Sequence, residues 1–191
     1  MNRILQIIET GRTVFSKNDL RLYWDFPSSE ALDKYIQRAL KKGELQKISY
    51  GIYGLKNYKI FELATKLRKK SYISLETVLK RHGIIFQHYD SIFSISDNTC
   101  EKEIDGQNFS YKKIKDSILL NPQGIIQEDN IIIASLERAI CDRVYLSKDY
   151  YFDDLSSIDL EKLHDISHIY NKRVVLEIAQ IIQHENKQRN T

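Results

Sequence analysis

His164 and His168 stand four residues apart with Asp165 between them, a spacing that sets two imidazoles on one face of a helix, where they could share a metal ion. A stable site needs further ligands, and no third side chain can be named from the sequence. The expectation is no metal and no cofactor. Asp153 and Asp154 form the most obvious acidic pair, the kind of group a nuclease or nucleotidyltransferase uses to hold catalytic metals, but they fall in a stretch that reads as a loop. Cys100 and Cys141 are isolated thiols, without the CxxC spacing of a zinc knuckle, and read as small buried hydrophobes. There is no glycine-rich phosphate loop, no GxSxG elbow and no HExxH pair. The reading is therefore that the chain is not an enzyme.

Two polar constellations remain. Glu137, Arg138 and Asp142 fall on one helix. Glu137 lies near the positive helix end, and Arg138 and Asp142 have the i, i+4 spacing of a salt bridge. An internal ion-pair network is the favoured reading, and a surface that meets a protein partner the sharper one. The second constellation is Ser29, Lys34, Gln37, Arg38, Lys41 and Lys42, with Asp33, on one side of a helix. Arginine and glutamine can form paired hydrogen bonds with guanine and adenine edges, and lysines suit phosphates. Lys47 and Tyr50 fall near the tip of a following hairpin, where they could touch a sugar-phosphate backbone.

The elements that must carry this second group can be read from the residues around it. Ile4, Leu5, Ile7 and Ile8 share one face of a first helix that Gly11 can stop. Ser16 can cap a second helix, with Asp19 adding charge to its first turn and Leu20 and Tyr23 or Trp24 facing inward. After Pro27, Ser28 and Ser29, the residues Ala31, Leu32, Tyr35, Ile36, Ala39 and Leu40 recur at the spacing of one buried stripe, and Gly43 ends that helix. Leu45 to Ser49 and Gly51 to Leu55 then read as two strands about a Ser49-Tyr50 reversal. The first helix followed by residues 12 to 56 gives three helices and a hairpin in the order of a winged helix-turn-helix, in which the third helix enters the major groove.

Charge supports a division of labour. Residues 1 to 82 carry a net +9 and residues 83 to 191 a net −6, which suggests that the basic part faces a polyanion and the acidic part something else. The expected domains are residues 1–57, the DNA-binding module, and 58–191, a regulatory domain whose residues 58–83 form a helical connection. In that connection a helix is expected from Lys59 to Lys70, with Ile60, Phe61, Ala64 and Leu67 inward, and a second one capped by Ser74 and ending at His82-Gly83. Ser91 to Ser96, Phe109 to Ile114, Ser117 to Leu120 and Ile131 to Ala134 read as strands of a small, mostly antiparallel sheet, with Asp105-Gly106 as a hairpin signal. Helices follow at Leu136 to Leu146, Leu160 to Tyr170, capped by Asp159, and Lys172 to His184. The fold class is α+β: an N-terminal winged helix followed by a mixed C-terminal domain. No run approaches the ~20 apolar residues of a membrane span, and Met1 to Gly11 lack the pattern of a secretion signal, so the expected location is the cytoplasm.

Lys47-Ile48-Ser49-Tyr50-Gly51-Ile52-Tyr53, then Ser71 to Leu79 with His82-Gly83-Ile84, and then Ala134-Ser135-Leu136-Glu137-Arg138-Ala139-Ile140-Cys141-Asp142-Arg143 follow one another in an order that resembles the AbiEi-type antitoxins. The last segment is similar to that family's PERAxxD stretch, with Leu136 where proline is usual. The resemblance implies an N-terminal winged helix that represses its own operon, and a C-terminal domain that neutralises a co-encoded nucleotidyltransferase-like toxin of a phage-defence system. Glu137, Arg138 and Asp142 become candidates for neutralisation. The expected partners are operator DNA and the toxin, with the chain a monomer or weak dimer. Two other readings stay open: a one-component regulator whose acidic domain binds a small effector, and a nuclease or nucleotidyltransferase that finds its substrate through the winged helix.

Overall fold

The computed structural model describes residues 3–189, which divide into two units, one running through Lys69 and the other beginning at Lys70. The fold class is α+β: nine helices and two sheets among the described residues. None of those helices is long and apolar enough to cross a membrane.

The first unit begins with α1 (Arg3–Glu9), β1 (Val14–Ser16), α2 (Lys17–Trp24) and α3 (Ser29–Lys41). It continues with β2 (Gln46–Ser49), β3 (Ile52–Gly54) and α4 (Ile60–Leu67). The Ser16 hydroxyl accepts from the Asp19 amide while the Asp19 carboxylate accepts from the Ser16 amide at 2.7 Å, a complete capping box. Leu20 and Trp24 face the core, as do Leu32, Ile36 and Ala39 of α3 and Ile4 and Ile7 of α1. Only half of the expected α1 stripe is buried: Leu5 and Ile8 lie on the helix's outer side, about half exposed. Each full burial of an Ile or Leu stabilises the unit by about 1.5–3 kcal/mol. Trp24 also donates its indole N–H to the Arg3 carbonyl at 2.7 Å, so its polar edge is not stranded.

The hairpin reverses one residue later than expected, at Tyr50-Gly51, because Gly51 takes the positive φ of 68° that the turn needs. A third strand, β1, pairs antiparallel with β3 and completes a sheet in the order β1-β3-β2. The unit extends past the expected boundary at Asn57. Thr13, just before β1, donates its amide and hydroxyl to the buried Glu62 carboxylate at 2.9 and 2.6 Å, which fastens α4 to the strand. α4 itself is shorter than expected, ending at Leu67, and its buried side is Glu62, Leu63, Ala64 and Leu67 rather than one centred on Ile60 and Phe61.

In the second unit β4 (Ser71–Ile73), α5 (Glu76–Arg81), β5 (Ser91–Ser96), β6 (Cys100–Ile104) and β7 (Gln107–Lys113) come first. They are followed by α6 (Asp116–Leu119), β8 (Ile125–Glu128), β9 (Ile131–Ala134), α7 (Leu136–Leu146), α8 (Leu160–Ser167) and α9 (Lys172–Arg189). The expected helical connection over 58–83 is thus divided, since β4 belongs to the sheet. The sheet has six strands in the order β6-β7-β5-β4-β9-β8 and is mixed, not mostly antiparallel, because β4–β9 and β5–β7 pair in parallel. Asp105-Gly106 makes the two-residue turn between β6 and β7, both residues at positive φ. Ser117 to Leu120, expected as a strand, lies instead in and just after the single turn of α6. A four-residue apolar run carries no period that separates the two. Ser74 does not cap α5; Leu75 occupies that position at φ 55°, and the Ser74 hydroxyl points elsewhere.

Candidate functional site

Ser28 stops the chain in an extended conformation and its hydroxyl accepts from the Ala31 amide at 3.1 Å, which starts α3. Burial of Leu32, Ile36 and Ala39 then fixes the rotation of the helix about its axis, and the opposite side is set by the 3.6-residue period. Ser29, Lys34, Gln37, Arg38, Lys41 and Lys42 are all exposed. Lys47 on β2 is exposed, and Tyr50 at the turn is 95% exposed. Among the described residues none of Lys34, Arg38, Lys41, Lys42 and Lys47 pairs with a carboxylate, whereas Asp33 on the same helix is taken by Lys17 at 2.6 Å. The result is a face of hydrogen-bond donors whose positive charge is not neutralised internally. Arg38 and Lys41 also complement the negative end of the helix dipole.

Glu137, Arg138 and Asp142 present the opposite case. Ser135 caps α7, accepting from the Arg138 amide, and the turn that follows carries Arg138 and Asp142 wholly into the interior, each with no exposed side-chain area. The Arg138 guanidinium donates to the Ile118, Asn121 and Gln123 carbonyls at 2.7, 3.3 and 2.8 Å, to the Tyr72 hydroxyl at 2.9 Å, and to Asp142 at 3.4 Å. Asp142 accepts from the Tyr170, Ser74 and Tyr72 hydroxyls at 2.7, 2.8 and 3.1 Å. Burial pushes the Asp142 carboxyl up from its ordinary value, and Arg138 with the three hydroxyls holds it back. Burial next to that carboxylate also raises the Tyr72 and Tyr170 phenols, so both stay protonated donors.

Gly124, at φ 74°, passes so close that an added Cβ would sit 2.8 Å from the Arg138 Cβ; only glycine lets this loop bring its carbonyls to the guanidinium. The network thus ties β4, α6, α7 and Tyr170 in the α8–α9 corner into one core, and the surface reading fails for Arg138 and Asp142. Glu137 is 6% exposed and is held by Lys162 at 2.7 Å and Ser135 at 3.0 Å. Against the upward push of burial, these contacts keep its carboxyl below the ordinary value.

Tyr72, Ser74 and Tyr170 escape sequence reasoning because they lie 70, 68 and 28 residues from Asp142, with no spacing to connect them. The remaining candidates are separate. His164 and His168, both exposed toward the C-terminal end of α8, stack edge to face at 4.7 Å, and no group of three metal-binding side chains exists among the described residues. Asp153 accepts from the Phe86 amide and Asp154 from the Ser156 amide, both at 2.8 Å, so each carboxylate braces a loop. Cys141 is buried, which pushes its thiol well up, and Cys100 is half-buried. Neither protein-family models nor curated proteins match this chain.

Proposed function

We propose that the chain is a DNA-binding autorepressor and antitoxin without catalytic activity. In this reading the residues through Asn57 act as a winged helix-turn-helix. α3 enters the major groove of a duplex, Gln37 and Arg38 meet base edges, and Ser29, Lys34, Lys41 and Lys42 meet phosphates. The β2–β3 hairpin is the wing, with Lys47 and Tyr50 against the sugar-phosphate backbone. The observation that carries the reading is the unpaired cationic face of α3, exposed along its whole length while the opposite face is locked into the core. The order of three helices and an antiparallel hairpin supports it. Neutralisation of a co-encoded nucleotidyltransferase-like toxin by the second unit rests on the resemblance to AbiEi-type antitoxins. With Arg138 and Asp142 enclosed, any toxin-facing surface lies elsewhere on that unit.

The test is a gel-shift titration on duplex DNA from upstream of the chain's own gene, at several salt concentrations. Each phosphate contact contributes about −0.9 to the slope of log affinity against log salt, so Lys34→Ala lowers that slope by about one unit. Arg38→Ala with Lys41→Ala should abolish specific binding; unchanged binding by this variant overturns the assignment of α3. Co-expression with the neighbouring toxin-like gene, scored as growth rescue, tests the antitoxin role separately.

A further inference from the structure

The β5–β7–β6 end of the second unit's sheet carries a concavity that neither the DNA face nor the Arg138 network uses. The strand registers align two rows of side chains on one face: Phe93 of β5 beside Ser110 of β7 beside Glu101 of β6, and then Ser91, Asn108 and Glu103 in the same order. All six line a hollow of about 470 Å³, within the range of small-ligand sites. At its floor Ser110 is 5% exposed, and its hydroxyl oxygen is closed off from solvent with no hydrogen-bond partner among the described residues. An enclosed hydroxyl without a partner costs about 1–3 kcal/mol, which is recovered only when a group from outside bonds to it.

We propose that this concavity binds a guanidinium group. Two carboxylates and the half-buried Phe93 ring in adjacent rows match that group's two recognition modes, the forked hydrogen bond to a carboxylate and stacking on a ring, while Lys102 and Lys112 on the same lining are the cations it competes with. A metal ion does not suit the site, since no group of three metal-binding side chains exists among the described residues. An ammonium is more strongly hydrated and lacks the planar fork. Glu101 is held only loosely in the free protein: among the described residues its one cation contact is Lys112 at 3.8 Å, with the glutamate side chain 77% exposed. The entering guanidinium displaces Lys112 from Glu101, forks between the two carboxylates, lies on Phe93 and, once the Ser110 side chain turns its hydroxyl into the hollow, gives that hydroxyl one N–H. The group arrives on a free small molecule or on an arginine of a protein partner. The proposal stands apart from the DNA reading, since every residue it uses lies in the second unit.

The experiment is calorimetric titration of the full chain with agmatine, with the blocked tripeptide Gly-Arg-Gly, and with the same blocked tripeptide carrying citrulline in place of arginine as its neutral isostere. Agmatine or the tripeptide binds saturably, and the citrulline peptide binds at least about tenfold more weakly, having lost the charge-assisted bonds. Tighter binding of the tripeptide assigns the site to an arginine in a partner chain, and tighter binding of agmatine to a free ligand. Glu101→Gln with Glu103→Gln weakens the preferred ligand by more than about tenfold, while Lys112→Met, which removes the competing cation, strengthens it. Glu101 and Glu103 are exposed on the edge strand β6 and Lys112 is half-buried on β7, so unchanged thermal unfolding verifies that each variant is folded. No saturable binding of either cation, equal binding of the citrulline peptide, or indifference to the double glutamine variant overturns the proposal.

Discussion

Arg138→Met is the most informative single perturbation, because methionine fills much of the arginine's volume while removing every donor. The substitution deletes five hydrogen bonds at 2.7 to 3.4 Å. It strands Asp142, which has no exposed area, as a buried carboxylate without a cation. Removing one member of a buried ion pair costs about 3–5 kcal/mol, and the orphaned carbonyls of Ile118, Asn121 and Gln123 add to this in proportion to how little water can reach them. Against a total stability of about 5–15 kcal/mol, the second unit should lose about a fifth or more of its margin. With a urea dependence of about 1–3 kcal/mol per molar, the unfolding midpoint falls by about 1 M or more. Far-UV circular dichroism is the appropriate monitor, since the single tryptophan, Trp24, lies in the first unit. The deficit also has a pH signature. Without Arg138 the Asp142 carboxyl rises further, and a group raised in the folded state contributes stability at low pH that is lost as pH climbs through its folded value. The deficit is therefore smallest in acid and grows toward neutrality. Adding Asp142→Asn should restore part of the loss at neutral pH, because the amide oxygen still accepts from the hydroxyls without a charge. A midpoint shift under about 0.5 M, or no recovery in the double variant, would refute the idea that the network is a structural clamp.

Ser28→Ala removes the cap of α3 and should cost about 1 kcal/mol, read as a lower melting temperature of the first unit. Gly124→Ala drives a Cβ to 2.8 Å from the Arg138 Cβ and 2.9 Å from the Ile166 Cδ1 at a positive φ, and should destabilise the second unit by about 1–3 kcal/mol in the same urea assay. Burial raises the Asp19 carboxyl, but Lys66 and Ser16 outweigh it and hold the group below its ordinary value of 3.8. Its contribution is complete above about pH 4 and is lost as pH falls through the depressed folded value. Asp19→Asn should therefore flatten the acid limb of the Trp24 fluorescence transition, and an unchanged limb would remove Asp19 from the account.

What could be read from the residues is what depends on near neighbours. The stripe of α3, the Ser16 and Asp159 caps, the Asp105-Gly106 turn and the full extent of α7 each rest on side chains within a few positions of one another. The strand β1 was missed because three residues, Val14 to Ser16, carry no measurable alternation, and its pairing with β3 joins segments some forty residues apart. The Glu137, Arg138 and Asp142 group was found by its spacing, but the spacing is the same for a solvated helix face and for a buried clamp. Deciding between them required Tyr72, Ser74 and Tyr170, which only the sheet and the α8–α9 corner bring to Asp142. The concavity at Phe93, Ser110 and Glu101 was equally hidden, since it is a property of register between strands and not of any one strand.

The order of the larger sheet also governs how it assembles. β4 is the first of its six strands to leave the ribosome, yet it ends in the middle, with β5 on one side and β9 on the other. The β4–β9 partners Ile73 and Ile133 are about sixty residues apart, so a long loop must close before that pairing yields anything. Until β9 is made, one edge of β4 stays unpaired with its apolar residues open, which is the condition that invites aggregation. At about 5–20 residues per second this interval lasts several seconds during synthesis. Folding of the second unit is accordingly slow for its size and sensitive to chaperones, while the first unit, with its helices close in sequence, finishes early.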